Sequence, residues 1–321
     1  MTRSINKKVI IYSPNNIGGV KRVCDDIANG LADLGVEVIC ESSLIIILKH
    51  LIVNSNLIYI SSVKGGLINW IAKRSIYILH GWPTNRDYGA IRRIALIILH
   101  WFGSKTASIT VSVSNLTRIM NNIQFGIQSD AVILNPCHFT KNYNLQKYQR
   151  KHEIIFCGKL VEGKGIDKII EAFLLISKLR PEYNLVIIGD GPLLSLIRKY
   201  NLENKITYLG VIKSRKQLVR RLSSAEIFVS LNELEPFGIV FVEAMFAGLK
   251  IVCPLTGGQN EFIPNQYPTF RVKNCYDSTE IGQRLCEAMD DRREFQEEFL
   301  SFSDFNRVNV ASKYLKIMES L

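Results

Sequence analysis

Two glutamates separated by seven residues, Glu235 and Glu243, stand in ELEPFGIVFVEAMFAGLKIVCP, residues 233–254. Pro236 and Gly238 break the chain between them, so Glu235 belongs to a loop and Glu243 to the second turn of the helix that follows. A carboxylate in the first turn of a helix is explained by the macrodipole, but Glu243 lies too far in for that. Its neighbours in IVFVEAMFA are all apolar, and a helix apolar all round is buried, where a carboxylate needs hydrogen-bond donors. Lys159 and Lys164 in CGKLVEGKG flank a glycine-rich turn. Lysines are usually solvated, yet two at one strand end could neutralise a diphosphate.

Three further places have the same character. Gly18 and Gly19 in SPNNIGGVKRV open a helix, where glycine lets backbone approach a ligand and the helix N-terminus favours an anion; an ordinary glycine turn is the plainer reading. His80 in ILHGWP ends a strand, and its position rather than its identity makes it a candidate. Asp190 in GDGP reads better as part of a tight turn. The loop TGGQNE, 256–261, adds two glycines after another strand.

The elements that must position these residues alternate. Strand-like runs occur at 8–13, 36–41, 56–61, 75–80, 107–114 and 131–136, separated by segments with helical spacing. Residues 140–152, TKNYNLQKYQRKH, are polar and basic and suit an exposed linker. Strands then resume at 154–159, 184–191, 205–210, 226–231 and 250–255, with helices near 166–179, 192–201, 214–224 and 239–247. The last stretch, SDFNRVNVASKYLKIMESL, predicts a closing helix capped by Ser303 or Asp304.

This alternation predicts an α/β protein of two doubly wound, Rossmann-like domains, 1–145 and 152–302, with the helix 303–321 packing back on the first. In such sheets ligands bind beyond the carboxyl ends of the strands, where all the candidates fall. If the two domains oppose each other, the candidates face one cleft.

The chain has 321 residues, 47% of them hydrophobic, enough for two domains. Seven scattered cysteines without a CxxC pair indicate neither a disulfide framework nor a zinc site. MTRSINKKVIIYSP reads as a first strand rather than a secretory signal, so a cytoplasmic location is expected. The net charge of +11 favours anionic partners. Without zinc-finger spacing, an RNP-like strand or an isolated basic recognition helix, nucleic acid is not expected among them.

Both LIIILKHLIV, 44–53, and IALIILHWF, 94–102, are too short to span a bilayer. With the basic surface, RRIALIILHWF, 92–102, suggests a peripheral contact with anionic membrane, at the inner face of the cell membrane. A parallel sheet needs apolar helices, however, and an interfacial helix would show a cleaner polar face, so a core helix is the favoured reading.

Taken together, CGKLVEGKGID, LVIIGDGPL, ITYLG and above all EPFGIVFVE resemble the retaining GT-B glycosyltransferases of the GT4 type, with Glu235 and Glu243 as the family's E-x7-E pair. The resemblance extends to the GGV loop at Gly18, Gly19 and Val20 and to the closing helix. It implies two facing Rossmann-like domains and transfer of a sugar from a nucleotide-diphosphate sugar to a glycan or lipid-linked acceptor, as in surface polysaccharide biosynthesis.

The resemblance also implies roles. Glu243 would accept hydrogen bonds from the ribose hydroxyls of the donor, and Glu235 would contact hydroxyls of the donor sugar. Backbone at Phe237, Gly238 and Ile239 would approach sugar and phosphate. Lys159 and Lys164 would stabilise the departing diphosphate, Gly18 and Gly19 would let the opposite loop approach it, and His80 would lie near the reacting sugar. Lys159 stands where the family commonly has arginine, a point charge in place of a bidentate fork. No D-x-D sequence is present, so no metal and no cofactor is expected.

Three alternatives share the architecture. A nicotinamide-dependent oxidoreductase would carry G-x-G-x-x-G after a strand, and neither Gly18-Gly19 nor GDGP supplies it. A sugar-nucleotide epimerase and a catalytically degenerate nucleotide-sugar-binding protein are the others; intact Glu235, Glu243 and Lys164 argue against the last.

Overall fold

The computed structural model of the chain describes residues 7–15, 18–86, 88–137, 149–200, 205–293 and 302–321. The chain divides into two compact units, Met1–His138 with Ser301–Leu321, and Phe139–Leu300. The linker expected over 140–152 lies outside the described residues as far as 148.

In the first unit the apolar runs form β1 (Lys8–Tyr12), β2 (Glu37–Glu41), β3 (Ile58–Ser61), β4 (Arg74–Leu79), β5 (Ile109–Ser112) and β6 (Ala131–Val132). They make one parallel sheet in the order β2-β1-β3-β4-β5-β6, with Val9 paired to Val38 on one side and Ile58 on the other. The run expected at 131–136 is a strand only over its first two residues. Between the strands come α1 (Gly19–Asp33), α2 (Leu44–Val53), a 3-10 helix over Val63–Ile71, α3 (Ala90–Thr106) and α4 (Asn115–Phe125). Parallel strands of one sheet are joined by right-handed crossovers. That rule places α1, which leads to β2, on one face, and α2, the 3-10 helix, α3 and α4 together on the other.

In the second unit, β7 (Glu153–Cys157), β8 (Asn184–Ile188), β9 (Ile206–Gly210), β10 (Ile227–Val229), β11 (Lys250–Pro254) and β12 (Thr269–Val272) form a second parallel sheet, ordered β12-β11-β10-β7-β8-β9. Its helices are α5 (Ile166–Ile176), α6 (Leu194–Tyr200), α7 (Arg215–Ser223), α8 (Ile239–Phe246) and α9 (Ser278–Asp290). Strands β7, β8, β10 and β11 are almost continuously buried, as sheets covered on both faces require. Both sheets are doubly wound, as the alternation predicts; β12 and α9 are additions to the predicted list.

The chain ends in α10 (Phe302–Phe305) and α11 (Arg307–Glu319). The cap of the closing helix is Asn306, whose side chain accepts from the backbone N–H groups of Val308 and Asn309, rather than the expected Ser303 or Asp304. Helix α11 lies against α1: a Cβ at Gly30 would stand 2.3 Å from the Arg307 carbonyl oxygen. Arg307 also pairs with Asp33 at 2.8 Å. Glycine at position 30 is what lets the two backbones come so close.

The expectation of a core helix over 92–102 is overturned. Of α3 only His100 and Gly103 are buried, while Ile91, Ile94, Ile98 and Trp101 are exposed. Helix α3 touches its own unit along a narrow line: Gly66 and Gly103 both close on the Tyr77 ring, and Asn69 Nδ2 donates to the Gly103 carbonyl at 2.9 Å. Leu96, Ile97, Leu99 and Phe102 are half-buried beside that line, and the Ile91, Ile94, Ile98 and Trp101 stripe faces outward.

Candidate active site

Strand order marks a switch point in the second unit. From β7 the chain moves to β8 and β9 on one side, then returns to β10 and β11 on the other, so the crevice expected by topology opens between the ends of β7 and β10. The loops leaving these two strands carry Lys159, Lys164 and Glu235.

The loop after β7 is closely fastened. Gly158 N donates to Ile188 O at 3.0 Å and Leu160 N to Asp190 O at 2.9 Å, which ties it to the loop after β8. A Cβ on Gly189, φ +141°, would stand 1.8 Å from the Gly158 carbonyl oxygen, and one on Gly191 2.4 Å from that of Leu160. Asp190 folds back to accept from Gly191 N at 2.8 Å. GDGP is therefore a backbone clamp on the 158–160 loop, and its aspartate is a turn former.

Beyond the clamp, Glu162–Lys164 form a 3-10 turn that ends at Gly165, φ +67°. A Cβ there would lie 2.7 Å from Leu231 Cβ, and Leu231 N donates to the Lys164 carbonyl at 3.3 Å. The close approach delivers Lys164 to the loop after β10, where its ammonium pairs with Glu235. Asn232 Nδ2 donates to the same oxygen, Glu235 Oε2, at 3.0 Å. Lys159 is exposed and makes no ion pair among the described residues.

Glu235 itself is buried to 9% exposure, and its loop is braced by a third one. Gly258 N donates to Glu235 O at 2.8 Å, and a Cβ on Gly258 would stand 2.2 Å from Pro236 O. Gln259, fully buried, donates through Nε2 to Thr256 O at 2.6 Å; its Oε1 has no partner among the described residues. Gly238, φ +84°, then starts α8, with Phe237 buried behind it against Phe262 and Ile239 as the first helical residue. Glu243 is the fifth residue of α8 and only 1% exposed, so the apolar helix does bury its carboxylate.

In the first unit, Gly18 and Gly19 follow β1, which is itself a switch point between β2 and β3. Gly18 is extended, φ −171°, and among the described residues beyond its chain neighbours neither glycine has an atom within 4 Å of where a Cβ would be. The fold alone does not demand glycine at either place. His80 follows β4 with Nε2 buried and without a partner among the described residues. Burial, then the nearby His100, pushes the His80 pKa down to about 4, so its ring is neutral near pH 7. His100, hydrogen-bonded to the Tyr77 hydroxyl at 3.1 Å, is likewise lowered to about 4 by burial.

Lys164, Glu235, Phe237, Gly238, Ile239 and Glu243 thus lie on consecutive or hydrogen-bonded segments, with Lys159 at the start of the same turn. Sequence reasoning missed Asn232 and Gln259. Asn232, three residues before Glu235 and just past a strand, had a legible position; the burial of Gln259 had no signal in its polar loop. Among the described residues, no group of three or more His, Cys, Asp or Glu side chains could hold a metal ion.

Comparison with known proteins gives this arrangement a family. The model of the glycosyl transferases group 1 family matches residues 140–301, about half of the chain. An uncharacterized glycosyltransferase of Bacillus subtilis, YqgM, is 32% identical over 105 residues, which are 32% of this chain and 29% of that protein. The sulfoquinovosyl transferase SQD2 of Arabidopsis thaliana is 25% identical over 186 residues, 57% of this chain and 34% of its own. The matched stretch thus spans about a third or less of these relatives.

Solved structures cover far more of the chain. Anabaena HepE, in complex with UDP and glucose, superposes with a TM-score of 0.76 at 16% identity over 98% of this chain and 100% of that one. Sucrose-phosphate synthase from Thermosynechococcus elongatus gives 0.78 at 14% identity, with 98% of each chain covered. At such identities the likeness concerns the fold, two Rossmann-like units of the GT-B kind, and the family match over the Lys164–Glu235 half makes this chain a member of the glycosyl transferases group 1 family.

Proposed function

We propose that the protein transfers a sugar, with retention of anomeric configuration, from a nucleotide-diphosphate sugar to a hydroxyl of a glycan or lipid-linked oligosaccharide in surface polysaccharide biosynthesis, at the cytoplasmic face of the membrane. The observation that carries this reading is the meeting of Lys164 and Glu235 at the β7/β10 switch point, eight positions ahead of a buried Glu243. Cleaving a glycosyl phosphate bond builds negative charge on the leaving diphosphate. Lys159 and Lys164, with the N-terminus of α8, oppose that charge most strongly when it is fully developed, which lowers the barrier rather than merely tightening binding.

Glu235 then holds hydroxyls of the donor sugar, and Glu243 holds the ribose. Backbone at Phe237, Gly238 and Ile239 approaches the sugar and phosphates, and Gly18 and Gly19 leave room for them on the first unit. A neutral His80 serves the reacting sugar as a hydrogen-bonding group, not as a cation. The acceptor oxygen attacks from the face the diphosphate leaves, so no side-chain nucleophile is needed.

Thermal unfolding with UDP, GDP and ADP, on the wild type and Glu243→Ala, tests the donor site. The UDP bound in HepE makes uracil the first base to try. A nucleotide at a hundred times its dissociation constant adds about 2.7 kcal/mol to native stability. Stabilisation by one nucleotide, absent in the variant, is expected; equal stabilisation of both proteins would remove Glu243 from the ribose site.

A further inference from the structure

The exposed side chains of the first unit point to a second functional surface. Helix α3 reverses the usual order of a surface helix: Ile91, Ile94, Ile98 and Trp101, spaced three and four residues apart, form one stripe, and the stripe faces outward. Ile91 is 88% exposed and Ile98 59%. The adjoining 3-10 helix presents Leu67 and Trp70, the latter 66% exposed. Helix α2, on the same face of the sheet, turns Ile47 and Leu51 into the core and leaves Ile45, Ile46, Ile52 and Val53 outside.

Charge distinguishes what could cover this face. From residue 42 to residue 129 the sequence has nine lysines and arginines and a single acid, Asp87, a net of +8 within a chain of +11. The cations interleave with the apolar stripes. Lys49 sits in the middle of the α2 stripe, Lys64 and Lys73 bracket the 3-10 helix, and Arg92 and Lys105 stand at the two ends of α3; all five are exposed. A second copy docked by the same face would bring these cations against their own kind, with Asp87 the one carboxylate of the segment to set against them.

We infer that the α2, 3-10 and α3 face docks on a bilayer surface bearing anionic headgroups. Apolar stripes flanked by Lys and Arg, with two indoles among them, are what an interfacial layer binds: the side chains enter the acyl boundary, the indoles lie at headgroup depth and the cations meet lipid phosphates. No helix among the described residues is long and apolar enough to cross the membrane, so the contact lies on the surface. The backbone beneath is tied together, because Asn69 joins the 3-10 helix to α3 and itself accepts from Ser61 Oγ at 2.7 Å. The surface contains no residue of the donor site, so its test is separate from that of the transferase reading.

The chain's tryptophans supply the probe. Trp70 and Trp101 lie on the face and Trp82 is buried. The full chain is mixed with vesicles of phosphatidylcholine alone or of phosphatidylcholine and phosphatidylglycerol in equal parts, and sedimentation and tryptophan emission are followed. Binding about tenfold stronger to the anionic vesicles is expected, with a blue shift and quenching by brominated acyl chains. The double variant Ile94→Asp, Ile98→Asp should lose the binding while keeping its circular dichroism and nucleotide-dependent thermal shift. Because the replaced side chains are exposed, Lys64→Gln with Lys73→Gln gives a second, milder variant, which should weaken anionic-vesicle binding only. Equal partition onto both vesicle types, no partition onto either, or binding unchanged in the aspartate variant would overturn the proposal. A concentration-dependent dimer in sedimentation velocity, lost in that variant, would overturn it in favour of a second copy.

Discussion

Lys164, at the end of the 3-10 turn after β7, and Glu235, in the loop after β10, form an ion pair across the switch point of the second sheet. Their side chains are 26% and 12% exposed, sheltered enough that the pair is more than a screened surface contact. The cation proposed for the leaving diphosphate and the carboxylate proposed for the donor sugar are therefore one unit. Each should be out of place without the other. Lys164→Ala and Glu235→Ala are each expected to lower turnover by about 10²–10³. The double variant should be little worse than either, so the coupling in the cycle should approach the loss of one single variant, about 3–4 kcal/mol. Losses that simply multiply would show that the pair acts as two independent groups.

The glycines divide into those required by the fold and those the fold leaves free. Gly30→Ala drives a methyl group into the Arg307 carbonyl between α1 and α11, and overpacking of this kind costs about 1–3 kcal/mol. Gly18→Ala and Gly19→Ala meet nothing, so both proteins should unfold at the wild-type temperature. Their turnover should nevertheless fall if these positions exist to let a ligand approach. Wild-type turnover in Gly19→Ala would end that assignment.

Much of this was legible in the primary structure, and the exceptions have physical causes. Strands buried on both faces read as unbroken apolar runs, and the Pro236-Phe237-Gly238 break separates loop from helix in any register, so the placement of Glu235 and Glu243 follows from local rules. GDGP reads correctly as a turn because Gly189 needs a backbone conformation closed to other residues. Periodicity cannot say what an apolar stripe faces, which is why α3 reads as core when it is surface. The cap at Asn306 was misplaced because Ser303, Asp304 and Asn306 are all good caps, and the choice among them rests on where α11 meets α1. The Lys164–Glu235 contact spans 71 residues and has no local signature at all.

Metal dependence is a direct test of how the leaving group is stabilised. Two lysines and the N-terminus of α8 are proposed to neutralise the diphosphate, which leaves a divalent cation nothing to add. Turnover measured in excess chelator should stay within about twofold of that in magnesium, since the lysine and helix charges are fixed in the fold. Loss of turnover in chelator, restored by magnesium, would contradict this assignment.

His100, which is buried, and His80, whose Nε2 is buried, make stability depend on pH in a definite sense. His80 and His100 ordinarily titrate near 6.5, and burial lowers both to about 4 in the folded protein. Between those values the unfolded chain binds more protons than the folded one, so stability is complete above about 6.5 and declines as pH falls toward 4. Each histidine contributes at most on the order of 3 kcal/mol to the full decline. Urea unfolding of the wild type between about pH 7 and about pH 5 should show the loss begin, ahead of the main titration of the carboxylates. His100→Gln removes one of the two titrating groups, so its stability should fall less steeply over the same interval. An identical slope in variant and wild type would mean that His100 is not held neutral by the fold.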